Sequence, residues 1–174
     1  MRAQRKSRHL LVILLVALIS CGNSEKFIGP IGITTNTGGT AKPGVLLNVG
    51  FQFSADKGKN VHLEMARLIG VPAHLQVIGS LFAVRPSQTG GVGALWGDLR
   101  ARWQPRGFIH PIDEVTLSPG PPADWVIVGT VKATTAGTFR TAGIQLTYVV
   151  DGKSYSQDFP FKIRLTADPN APPV

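Results

Sequence analysis

Apolar and polar residues alternate with a period of two along much of this chain beyond Gly44. Val45, Leu47, Val49, Phe51 and Phe53 alternate with Leu46, Asn48, Gly50 and Gln52, the pattern of a strand with one buried face. Ser54–Asn60 is polar and reads as a turn, after which Val61, Leu63 and Met65 alternate with His62, Glu64 and Ala66. A short helix through Val61, Met65 and Leu68 competes with a strand there, and the strand is the expected form. Gly70-Val71-Pro72 breaks the pattern. Val77, Ile78, Leu81, Phe82 and Val84 form the next apolar run, with Gly79 as a bulge or turn. Phe108–Ile112 reads as extended, because the residue before Pro111 is pushed towards β. Asp124–Ala133 is apolar on both faces and is expected at the centre of a sheet.

The clearest local signal lies near the end. Ile144–Val150 and Lys153–Phe159 flank Asp151-Gly152, the residue pair that favours a two-residue type I′ hairpin. Pairing across that turn sets Tyr148 opposite Tyr155 and Ile144 opposite Phe159, all on one face. Phe161, Ile163 and Leu165 continue the same face beyond Pro160, which marks a bulge or a change of sheet. About seven short strands with no long helix predict an all-β fold, an antiparallel immunoglobulin-like β-sandwich. Asp124–Leu165, with Gly137–Gly143 leading into Ile144-Gln-Leu-Thr-Tyr148, is similar to small uncharacterised exported actinobacterial proteins. That likeness implies the sandwich and no activity.

A different pattern opens the chain. Arg2, Arg5, Lys6 and Arg8 precede ten apolar residues, Leu10–Ile19, and then Ser20 and Cys21. A basic start, a short apolar core and a small-residue processing site make an export signal, and the run is about half the roughly 20 residues of a spanning helix. Leu18-Ile19-Ser20-Cys21 closely resembles the lipobox of bacterial lipoproteins. The resemblance implies a diacylglyceryl group on the Cys21 sulfur, cleavage before Cys21, and attachment to the cell membrane on its extracytoplasmic side. Two acyl chains suit stable anchoring, since a single chain holds only marginally. The expected organisation is a signal peptide over 1–20, a lipidated start and flexible tether over 21–43 in which Ile31–Thr35 is an edge strand touching the domain, a β-sandwich over 44–166 and a frayed tail over 167–174.

Cleavage changes the charge. The full chain carries 18 Lys and Arg against 10 Asp and Glu; loss of the four basic residues before Cys21 leaves 14 against 10, a net +4. That balance, together with export, argues against a nucleic-acid partner. With Cys21 lipidated no disulfide forms, so the apolar core must supply the stability.

Catalytic patterns are weak. There is no G-x-S-x-G, Asp113 and Glu114 are adjacent and face opposite ways in an extended chain, and a Cys–His mechanism fails if Cys21 carries lipid. No enzyme activity and no cofactor are expected. His62, Met65 and His74 form the one candidate metal cluster, suited to copper by ligand softness, although a strand sends His62 and Met65 to opposite faces. A core Met65 with surface histidines is the alternative. The irregular stretch Arg85–Arg106 holds Trp96, Arg100, Arg102, Trp103 and Arg106, residue types enriched in binding hot spots. Leu95, Leu99 and Trp103 also stand at helical spacing, so plain packing competes with presentation. The expected function is a non-catalytic envelope lipoprotein that binds a protein or cell-wall component, with a copper-binding accessory protein as the alternative.

Overall fold

The computed structural model of the chain describes residues 25–31, 36–90 and 94–174. The signal, the lipobox and Cys21 lie outside them. Among the described residues there are thirteen strands: β1 Ile28–Pro30, β2 Asn36–Ala41, β3 Leu47–Ala55, β4 Val61–Ile69, β5 Leu75–Val77, β6 Phe82–Val84, β7 Ala94–Trp96, β8 Thr116–Leu117, β9 Val126–Ala133, β10 Gly137–Arg140, β11 Gly143–Val150, β12 Lys153–Phe159 and β13 Lys162–Ala167. Short helices α1 (Pro86–Thr89) and α2 (Leu99–Trp103) interrupt them. None of the described helices is long and apolar enough to cross a membrane. The fold is an all-β sandwich.

One sheet runs β1-β3-β9, with β5 and β6 sharing the outer edge of β9 and with β7 beside β1 on the outer edge of β3. The other runs β12-β11-β4-β8. Their inner faces meet through Val49, Phe51 and Phe53 on one side and Leu63, Ile144, Leu146 and Tyr148 on the other, all buried. The Phe53 ring packs on Phe159 at 4.7 Å and on Phe161 at 5.7 Å. As expected, β9 is apolar on both faces: Ile127 and Val131 enter this main core, while Val126 and Val128 join Phe82, Val84, Leu99 and Trp103 in a second cluster. The segment over 99–109 therefore roofs the outer face of the first sheet.

The hairpin forms as its sequence predicts. Asp151 and Gly152 take φ of 50° and 75°, both left-handed as a type I′ turn requires, and Tyr148 pairs with Tyr155 and Ile144 with Phe159. The register shifts by one residue at Pro160, where the same two chain segments continue as β10 and β13 and take β2 as a parallel third strand. Pro160 thus marks both a bulge and a change of sheet. Gly79, at φ 69°, makes the turn that separates β5 from β6.

Two boundaries differ from expectation. Residues 22–43 are not all tether: Ile28 and Phe27 are buried, β1 pairs with β3, and β2 pairs with β13. The folded body therefore begins at Phe27 instead of near Gly44. Of the edge strand expected at 31–35, residues 32–35 lie outside the described residues. The tail is not frayed throughout either, since the Asp168 amide bonds the Ala41 carbonyl at 2.9 Å and Ala171 is buried. Both misreadings have one cause. Gly- and Pro-rich segments carry too little apolar periodicity to announce strands that gain their burial from a neighbour.

Candidate functional site

The strands define two ends. Residue 25 enters at the junction pole, beside Ala55, the Asp56–Asn60 turn and Asp151-Gly152. The opposite far pole holds Leu47, Ile69, Gly143 and Trp96. The nine residues of β3 separate the poles by about 27 Å.

At the far pole a cleft of about 350 Å³ is lined by Lys42, Val45, Trp96, Gly97, Pro173 and Val174. Trp96 ends β7, and a buried polar bracket fixes that strand. The Asn48 amide donates to the Gly97 carbonyl at 2.7 Å and to the Leu95 carbonyl at 3.1 Å, while its Oδ1 accepts from the Thr130 hydroxyl at 2.7 Å. Asn48 is fully buried, so these bonds offset a desolvation cost that an unpaired amide would carry in full. Gly39 of β2 lies under the indole, where a Cβ would approach Trp96 Cζ2 to 2.4 Å. The cleft therefore offers a fixed, half-buried aromatic plane with one lysine beside it.

The hot-spot residues expected between Arg85 and Arg106 do not converge. Trp103 is buried in the second cluster with Leu99, so the packing alternative holds for that residue. Leu95 is exposed on β7 and takes no part in the helix expected of it. Arg100 stacks over Phe82 at 4.7 Å and donates to the Ser80 carbonyl at 2.7 Å. It lines a separate groove of about 230 Å³ with Gln104 and His110. Arg102 and Arg106 are exposed. Trp96 alone of the five reaches the far-pole cleft. Its partners there, Lys42, Val45, Pro173 and Val174, come from the stretch expected as tether, its boundary and the tail, where no local pattern marks a site. The doublet Gly38-Gly39 was their one available signal, since a Cβ at Gly38 would meet the Arg164 carbonyl oxygen and one at Gly39 the indole.

The candidate metal residues also separate. A one-residue bulge at Glu64, opposite the Thr147–Tyr148 step, reverses the phase of β4, so Met65 is exposed and Leu68 is buried. Met65 is thus neither a core residue nor on the face opposite His62, which is exposed too, with its Nδ1 3.4 Å from the Thr116 hydroxyl. His74 precedes β5, in the other sheet. Among the described residues no group of three or more His, Cys, Asp and Glu side chains is placed to hold a metal ion.

The junction pole is the more charged end. Lys57 bonds Glu25 at 2.9 Å and lies over the Phe27 ring at 4.8 Å, and Lys59 pairs with Asp151. The Lys57 hydrogen bond and charge hold the Glu25 carboxyl below its ordinary value, and the Asp151 contact raises the Lys59 ammonium. Lys153 lines the same shallow cleft.

No protein-family model matches the sequence, and no characterised relative aligns with it significantly. Among solved structures, the VesB protease of Vibrio cholerae is similar at a TM-score of 0.43 with 13% identity, over 81% of this chain and 32% of that one. The chain spans about a third of that protein's length, and no residue role follows from the likeness.

Proposed function

We propose that this protein is a membrane-anchored envelope lipoprotein whose β-sandwich presents a non-catalytic binding cleft at the pole away from the lipid. The observation that supports the reading most is the Trp96 cleft, a buried-amide-braced aromatic plane at the end opposite the one where residue 25 enters the body. Rigid aromatic surface next to a single cation suits an envelope ligand with an apolar or ring-shaped face and a negative group, whether protein or cell-wall polymer. The strand order supports an immunoglobulin-like arrangement: β3 and β4 are consecutive on opposite sheets, β9 and β11, with β10 between them, also lie on opposite sheets, and β2 runs parallel to β13 at the edge.

The test uses the full chain in detergent, titrated with soluble cell-wall fragments and separately with envelope protein, following tryptophan emission. Trp96→Phe supplies the blank, because Trp103 and Trp125 are buried. A ligand-induced change that disappears in Trp96→Phe and weakens in Lys42→Ala supports the cleft. Binding untouched by both substitutions assigns the ligand elsewhere.

A further inference from the structure

We propose that the junction pole rests against the bilayer surface and that its lysines meet anionic lipid headgroups. The inference builds on the anchoring of Cys21 proposed above, and its geometry comes from how soon after that residue the folded body begins. Phe27 is buried, and its carbonyl accepts from the Asp56 amide at 2.7 Å. Ile28–Pro30 is hydrogen-bonded along β3. Glu25 is already tied to Lys57. Four residue steps separate Cys21 from Glu25, and fully extended chain covers at most about 14 Å in that distance. A free tether over 21–43 would have held the domain loosely at about 25 Å. A leash this short instead keeps the junction pole within a headgroup layer's reach of the bilayer at high effective concentration.

The surface so placed carries Lys26, Lys57, Lys59 and Lys153 against Glu25, Asp56 and Asp151. The local excess is one positive charge, so the leash dominates and charge adds only about a fivefold bias towards anionic lipid. Lys26 and Lys153 make no ion pair among the described residues, which leaves them available for headgroup phosphates. Such contact stands the sandwich on this pole and holds the Trp96 cleft about 27 Å farther out.

The experiment places one dye at Asn60→Cys, in the junction-pole turn, or at Ala73→Cys, in the exposed far-pole turn before β5. Cys21 is consumed as a thioether, so the new thiol is the one that labels. The full lipidated chain is reconstituted in vesicles of phosphatidylcholine alone or mixed equally with phosphatidylglycerol, with acceptor dye on the headgroups. Energy transfer is expected to be strong from position 60 and weak from position 73. Lys26→Gln with Lys153→Gln is expected to narrow that contrast in the mixed vesicles only, as is high salt. Equal transfer from both positions in protein whose mass shows the lipid overturns the orientation. An unchanged contrast in the lysine variant overturns the headgroup contact. Protein that lacks the acyl mass and leaves the vesicles overturns the anchoring itself, a failure the mass separates from the other two.

Discussion

The side-chain amide of Asn48 holds the Gly97 carbonyl at 2.7 Å, and this one bond fixes the residue that follows Trp96. Asn48 lies in a strand whose neighbours are apolar, yet it is as buried as they are. Replacing it by leucine leaves the Thr130 hydroxyl and two backbone carbonyls without their partner. The expected loss is about 2–4 kcal/mol, read as a lower midpoint in chemical denaturation with an unchanged slope. Trp96 emission should shift to the red as β7 loosens. A loss within experimental error of zero would show that the bracket does not hold the strand.

Trp103 and Trp96 are expected to respond in opposite ways. Trp103→Ala empties a site shared with Leu99 and Phe82 and should cost about 3–5 kcal/mol. Trp96 is half-buried at the cleft, and Trp96→Ala should cost no more than about 1–2 kcal/mol while removing ligand binding. Thermal unfolding of the two variants side by side decides it; equal losses would mean that Trp96 is a core residue.

Gly39→Ala tests the cleft from beneath. The new methyl group meets the indole at 2.4 Å, so the ring must move. The prediction is altered Trp96 emission and weaker ligand binding, with the sandwich still folded. Gly143→Ala is the contrasting case, because its Cβ would lie 2.1 Å from the Phe159 carbonyl oxygen. A backbone atom yields less easily than a ring, so unfolding by about 2 kcal/mol or more is expected there, measured by denaturant titration.

The Glu25–Lys57 pair gives a pH dependence. A carboxyl held below its ordinary 4.5 contributes stability above that value and loses it as pH falls through the depressed one. Acidification below about pH 4.5 should therefore loosen the Glu25–Pro30 segment before the core, detected as faster amide exchange at Gly29, which faces Ser54 in a hydrogen-bonded position of the β1–β3 pair. Lys57→Met should return the Glu25 carboxyl to its ordinary titration, followed by carbon NMR. An unshifted Glu25 in the native protein contradicts the pair. Lys59 behaves in the opposite sense: its raised value supports the fold below about 10.5 and the support is lost as pH rises through it.

Where burial is periodic, the sequence was a sufficient guide. The Asp151-Gly152 hairpin, its Tyr148–Tyr155 pairing and the central β9 all follow from alternation and turn chemistry acting locally. Met65 departs from its alternating place because a bulge at Glu64 inverts every later position in β4, and a bulge leaves no mark in residue type. Trp103 and Trp96 stand seven residues apart in one irregular stretch, yet one fills the second core and the other lines a cleft. What separates them is the outer face of β9 and the β2 strand, both distant in the chain. Lys42 and Val174 joined the candidate site for the same reason, through contacts that no local pattern encodes.

Membrane attachment depends on Cys21, and the direct measurement is the mass and partition of the protein made by a bacterium that processes lipoproteins. The native chain is expected in the membrane fraction, beginning at Cys21 and heavier by a diacylglyceryl group, while Cys21→Ala is expected to lose that mass and leave the membrane after signal cleavage. A cleaved Cys21→Ala protein that remains membrane-bound, or a native chain whose Cys21 carries no lipid, contradicts the account.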